Sequence, residues 1–362
     1  MQERIISADS HVTIRDEDVL ARLSRKHHEA YREGKLTALR RFVGDAVKKV
    51  EDTSQPGLDS KDVQTWEAAG RRGAFDPKER LKDMDVDRVD AEVLYTDVWA
   101  GAAFYHMGSA ACLEAFQAFN SAAIDFASVD PKRLVTVYIL PIADVEEAVT
   151  ELHRIAKEGA RAVHIPTYPT DLGFPGYWDK RYDKLWAAIQ ELGMPISQHV
   201  ASNANLARIR AEDPTPVRGV QHTLPAIFMA EVMAFWIVTG IFDRFPGLCV
   251  VLVESGLGWI PYFLERLDRS QKKHGWDRFG MLKEKPSVYF RRNMALTFEE
   301  DEFGMRNRRE IGVENLMWAT DYPHPDSTWP HSQEVIHDHF HDVPIEETRL
   351  MIAGNAARLY RL

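Results

Sequence analysis

Short apolar runs recur along the chain with amphipathic stretches between them. Eight runs read as strands: residues 4–8, 91–95, 134–140, 161–165, 195–199, 249–254, 288–292 and 316–321. Their near-continuous apolar character belongs to strands buried on both faces, as in a parallel sheet covered by helices. Between two of them, Val145, Ala148, Val149, Leu152 and Ile155 repeat at helical spacing over residues 145–157. Residues 180–192 behave alike, and Gly193 supplies a helix stop just past their end. This alternation predicts βα units around a parallel sheet.

Two segments exceed a minimal βα rhythm. Residues 18–79 are charged and helix-like, over 19–22 and again over 31–50, with a Pro/Gly/Ser-containing break at 54–60. Residues 200–245 follow the fifth strand. Both start at the carboxyl end of a strand, where barrel enzymes place active-site loops, and both read as lids or oligomer contacts within one domain spanning residues 1–362.

Composition narrows the picture. The 362 residues suit one α/β barrel with insertions, and 45% apolar with 28% charged residues is ordinary for a soluble globular protein. A net charge of -10 lacks the clustered positive surface that nucleic acid or an anionic membrane demands, so a small-molecule substrate is expected. Cys112 and Cys249 stand far apart without a metal or redox spacing and read as reduced thiols of a cytoplasmic protein. The N-terminus lacks the pattern of a signal peptide. The longest apolar stretch, residues 234–241, is short for a membrane span.

The candidate chemistry sits at strand exits. In Asp9-Ser10-His11 the two outer residues are two apart, so on a strand they offer an oxygen and a nitrogen to one side. His199 ends the fifth candidate strand, Glu254 the sixth and Asp321 the eighth. In a closed barrel these exits converge on one mouth. Imidazole and carboxylate without thiolate suit zinc, manganese or iron(II) and argue against a structural zinc cage.

Asp9-Ser10-His11, His199, Phe245-Pro246-Gly247-Leu248, Trp318-Ala319-Thr320-Asp321-Tyr322-Pro323-His324 and the closing Gly354-Asn355-Ala356-Ala357-Arg358-Leu359-Tyr360 together resemble the amidohydrolase superfamily. More narrowly, they resemble its branch with aminocarboxymuconate-semialdehyde decarboxylase and the aromatic-acid decarboxylases. The resemblance implies a distorted (β/α)8 TIM barrel with helical insertions after strands 1 and 5, and a divalent metal held by Asp9, His11, His199 and Asp321. One motif departs: where that branch usually has His-Gly-Gly after strand six, this chain has Glu254-Ser255-Gly256. Glu254 is then a proton shuttle or a further metal ligand, and with it a second metal ion enters consideration.

The leading expectation is metal-assisted hydrolysis of a small carboxylated, cyclic or aromatic substrate, with Asp321 passing protons. Its alternatives are non-oxidative decarboxylation, oxygenation at a dinuclear iron or manganese–iron centre, and a non-catalytic partner subunit. His222 and His164 join Asp321 and Glu254 as candidate catalytic residues. Asp97, Trp99, Tyr168, Trp259 and His324 are candidate substrate contacts, His324 being first of all a residue that fixes its Pro-rich loop. Tyr95, Phe104, Trp178 and Trp329 are further aromatics near strand exits that would wall a pocket. The alternative for Glu254 is a salt bridge to Arg266 or Arg292. His331, His337, His339 and His341 read as a solvated face. A homo-oligomer, such as a dimer, is expected by analogy, with a hetero-oligomer including a paralogue as the other form.

Overall fold

The computed structural model describes residues 3–43, 71–96, 100–200, 223–275, 282–324 and 327–362. Eight parallel strands follow one another in chain order around a (β/α)8 barrel. They are β1 (Ile6–Val12), β2 (Ala91–Thr96), β3 (Leu134–Ile139), β4 (Val163–His164), β5 (Ile196–His199), β6 (Val250–Val253), β7 (Met294–Phe298) and β8 (Leu316–Trp318). Every strand residue is buried, as expected of strands covered by helices outside and filled by side chains within.

Regular ladders join β1 through to β8, but the seam between β8 and β1 is different. There the Asp321 N–H donates to the Asp9 carbonyl at 3.0 Å and the His11 N–H donates to the Tyr322 carbonyl at 2.5 Å. β1 also shifts register against β2 between Ser7 and Ser10. The strand continues through Asp9 and His11 rather than ending at residue 8, with Asp9 inside that irregularity and His11 just past it.

The helices described follow the sequence pattern closely where caps are strong. In the first insertion they are α1 (Asp16–Leu20), α2 (His28–Val43) and α3 (Pro77–Asp87), the last capped by Asp76. The break at 54–60 lies outside the described residues. Helix α4 (Ser109–Ala127) covers β3, and α5 (Val145–Lys157) has Asp144 as its cap, accepting from the Glu146 and Glu147 N–H groups. α6 (Asp183–Leu192) stops at Gly193, whose φ of 60° is the left-handed conformation a glycine adopts freely.

The second insertion delivers α7 (Pro225–Val238). Ala226–Arg244 is long and apolar enough to cross a membrane by length and composition, more than the 234–241 run indicates. It turns at Gly240 (φ 72°), and Met229, Val232, Met233, Trp236 and Ile237 are buried against the barrel, which is how a core helix behaves.

The expectation of a strand at 288–292 is wrong. Those residues belong to α8 (Pro286–Asn293), and β7 follows at once. Pro286 at the first helical turn starts the helix, and burial of Tyr289, Phe290 and Asn293 with exposure of Val288, Arg291 and Arg292 has helical, not alternating, spacing. The Asn293 amide then ties the junction by donating to the Pro246 and Leu248 carbonyls at 2.9 and 2.7 Å.

One buried ion pair braces the first strand. Arg80 of α3 is fully buried; its Nε donates to Glu92 Oε2 at 2.5 Å and its Nη1 to the His11 carbonyl at 2.7 Å. Its guanidinium also lies over the Tyr322 ring, 4.3 Å from the centroid. Truncating one member leaves the other charge buried and unpaired. Arg80→Met should therefore lose about 3–5 kcal/mol in urea unfolding, and Arg80→Met/Glu92→Leu should recover most of that loss.

Candidate metal centre

Asp9 and His11 point to the same side of β1, and β5 and the β8 exit bring His199 and Asp321 against them. His11 Nε2 lies 3.6 Å from Asp9 Oδ1 and 3.1 Å from Asp321 Oδ1, and His199 Nε2 lies 3.6 Å from Asp9 Oδ1. Those four atoms are all buried and none has a hydrogen-bond partner in the structure. Unpartnered buried polar atoms are costly, and donors converging on one point are the arrangement that could hold a cation. Two imidazole nitrogens and two carboxylate oxygens fit a divalent ion such as zinc, manganese or iron(II).

The surrounding residues aim these donors. His199 Nδ1 lies 2.7 Å from the Val200 carbonyl, so the N–H resides there and the lone pair of Nε2 faces the centre. Thr297 Oγ1 accepts from the Glu254 N–H at 2.8 Å and reaches Asp9 Oδ2 at 3.5 Å, linking two strand exits. Beneath the centre Ser7, Ser10 and Thr320 form a closed trio of hydroxyls, 3.0 Å apart, and Ser7 Oγ donates to the Asp9 carbonyl at 2.8 Å. His324 stacks on His11 at 3.9 Å between centroids, and its Nδ1 hydrogen-bonds Asp321 Oδ2 at 3.0 Å, with Oδ1 alongside.

The electrostatics follow from burial and like charges. Burial and the neighbouring His324 push His11 well below the ordinary imidazole range, which keeps it an unprotonated donor. Burial also opposes charge on His199, but Asp9, Glu254 and the Val200 carbonyl outweigh it and lift its pKa to about 9. Glu254 is held well above the carboxylate range by enclosure in the mouth and by Asp321 beside it. Its Oε2 lies 3.8 Å from His199 Nδ1, so its electrostatic partner is this histidine rather than Arg266 or Arg292. Arg292 instead donates to Asn293 Oδ1.

Two carboxylates at strand exits take an unusual backbone conformation: Glu254 has φ 56° and Asp321 φ 55°. Left-handed backbone is uncommon outside glycine, and residues held there cluster at functional sites.

The other candidates fall in different places. His164 ends β4, is 4% exposed, and burial with His199 nearby lowers its pKa to about 3. Tyr168 donates its hydroxyl to the Phe228 carbonyl and lines an apolar recess with Trp178, Phe235 and Trp236. Trp259, just beyond Glu254, donates its indole N–H to the Ser255 carbonyl at 2.8 Å. Tyr95 lies inside the barrel, its ring 5.1 Å from that of His199, whereas Phe104 belongs to the core. Trp329 carries the Arg71 guanidinium over its ring and gives its N–H to the Asp83 carbonyl. His222, Asp97 and Trp99 lie outside the described residues. Of the four late histidines, His331, His337 and His341 are exposed, but His339 is half-buried and its Nε2 accepts from the Asp301 N–H at 3.0 Å. Arg80, Thr297 and the hydroxyl trio escape the sequence reading.

A sequence model of the family described as Amidohydrolase matches residues 9–362, and the chain belongs to that family. The Decarboxylase orsB of Emericella nidulans is 29% identical over 209 residues, covering 54% of this chain and 60% of the relative, so the match spans under two thirds of its length. The Gamma-resorcylate decarboxylase of Rhodococcus jostii is 28% identical over 267 residues, covering 67% of this chain and 76% of that protein. In fold, the chain is similar to a 5-carboxyvanillate decarboxylase from Novosphingobium aromaticivorans, solved with manganese and 4-hydroxy-3-methoxy-5-nitrobenzoic acid. That likeness has a TM-score of 0.73 at 18% identity and covers 99% of this chain and 96% of the other.

Metal binding must displace the proton that Asp9 above all holds on His199. Below its pKa of about 9, apparent metal affinity should fall about tenfold for each pH unit the solution becomes more acidic. Calorimetric titration of manganese into the apoprotein in buffers of different ionisation enthalpy should show about one proton released per ion at pH 7. An affinity flat between pH 7 and 9 would contradict this.

Proposed function

We propose that this chain is a divalent-metal-dependent decarboxylase acting on a hydroxylated aromatic acid. The convergence of four buried, unpartnered donor atoms carries the metal-dependent part of this reading. The relatives named as decarboxylases support carbon–carbon cleavage over the hydrolysis that leads the sequence reading.

Asp9, His11, His199 and Asp321 would hold the ion, which when bound polarises substrate oxygens and offsets their negative charge. The barrel mouth orients the ring and excludes water. Glu254 stands where the related decarboxylases usually carry a histidine, and here its carboxyl gives the proton. The bond from ring to carboxylate breaks, the electron pair stays on the ring carbon, that carbon takes the Glu254 proton, and carbon dioxide leaves. The Glu254 side chain keeps 34% exposure, so it regains its proton from solvent. Asp321, paired with His324, would help hold the ion.

A second reading is a centre with two ions, performing hydrolysis or oxidation with iron or manganese and iron. One observation favours it: His324 and Glu254 add further possible ligands to the same cluster, the ligand atoms of His11, Asp321 and His324 lying within 4.8 Å of one another. As a decarboxylase the chain would be a soluble cytosolic enzyme, and exposed Leu224, Ile227 and Phe235 on and before α7 support self-association.

Elemental analysis of protein purified without chelator separates the readings. About one manganese or zinc per chain fits the decarboxylase, and close to two ions including iron fits the second reading. With manganese and a panel of hydroxybenzoates, carbon dioxide release is expected. His199→Ala should lose metal and activity together, while Glu254→Gln should keep its metal and lose about 100-fold or more in turnover. Full activity in His199→Ala would overturn the assignment.

A further inference from the structure

One imidazole at the barrel mouth has no part in holding the ion. His164 closes β4 and pairs in register with Ser197 of β5. Register partners on neighbouring strands share a face, and Ser197 shares its face with His199, two residues on. That face is the barrel interior, since the Tyr95 hydroxyl meets Ser197 Oγ at 3.1 Å while the Tyr95 ring lies edge-on against His199. The hydroxyl of its register partner is thus committed to Tyr95, and His164 Nε2 is buried with no hydrogen-bond partner. A buried nitrogen left this way is destabilising unless an arriving group bonds it.

Nothing on the neighbouring strands supplies that group. Across the ladder on the other side, His164 pairs with Ile139 of β3, which is apolar. Ile165 follows it, and its own carbonyl is taken by the Leu140 N–H. The four metal donors face one another from β1, β5 and β8, whereas His164 enters from the β4 side of the same interior. It therefore faces the same interior as those donors without belonging to their cluster.

We propose that His164 Nε2 hydrogen-bonds an oxygen substituent on the substrate ring other than the departing carboxylate, and so sets a preference for hydroxylated over unsubstituted aromatic acids. This assignment rests on the decarboxylase reading above. A pocket that hydrogen-bonds a hydroxyl rejects the analogue lacking it, because its own polar atom is then left bare.

The test is calorimetric binding of benzoate and of 2-, 3- and 4-hydroxybenzoate to the manganese-loaded full chain, as wild type, His164→Leu and His164→Gln. Wild type should bind at least one hydroxy acid about tenfold tighter than benzoate. His164→Leu should narrow that preference to about twofold or less, with metal content unchanged and thermal stability equal or higher. His164→Gln, which retains a donor, should keep part of it. A His164→Leu variant that keeps the full preference, or that loses its metal, overturns the role of His164 alone. Wild type that binds all four acids alike does the same. Wild type that binds none of them overturns the aromatic-acid reading and this assignment with it.

Discussion

Everything at this barrel mouth answers to negative charge taken out of water. Asp9 is fully buried, Asp321 nearly so, and Glu254 stands over them. The one arginine close to this end of β1, Arg80, is turned away and spent on Glu92 and the His11 carbonyl. Of the described residues it is the His199 imidazole, 3.6 Å away, that answers Asp9 by holding a proton. Burying carboxylates without a counter-charge is costly, so this space suits positive charge, whether a proton on His199 or a cation. The tether on His199 Nδ1, the Thr297 bridge and the His324 stack each fix a donor that the absence of charge balance would otherwise scatter.

The centre also occupies the least regular part of the barrel. Seven strand junctions are parallel ladders, the first with a register shift, while the eighth is closed by two bonds from Asp321 and His11 themselves. Residues of the candidate metal centre therefore also complete the backbone circle. The Ser7, Ser10 and Thr320 hydroxyls underneath replace the missing ladder with side-chain bonds, which keeps the seam closed while leaving the strand ends free to diverge. Rigid strand ends of this kind preorganise a site better than loops do.

Much of this was legible in the sequence because the barrel imposes two signals at once: an apolar run for the strand, then a polar residue at its exit. Asp9, His11, His199, Glu254 and Asp321 all carry that pattern, and the structure brings them together. The seventh strand was not legible, since Val288-Tyr289-Phe290 has β-rich composition while belonging to a helix; Pro286 was the overlooked signal. Misplacing that strand also hid Thr297. Arg80 was masked by its setting, because in Lys78-Glu79-Arg80-Leu81-Lys82-Asp83 nothing distinguishes a buried arginine from solvated neighbours. The hydroxyl trio joins residues over 300 positions apart, a relation no local pattern encodes. The type of reaction was least legible of all. Ligands for hydrolysis and decarboxylation are the same, and only the known relatives tip the balance.

The left-handed backbone at Glu254 and Asp321 has one more consequence. Each occupies a conformation in which glycine is at ease and a side chain is not. Selection for heat tolerance alone would favour glycine at both positions, and each such change would remove an oxygen from the mouth. Robustness and the proposed chemistry would then compete for the same two residues, and a hardier barrel found that way would lack two carboxylates of the candidate metal centre.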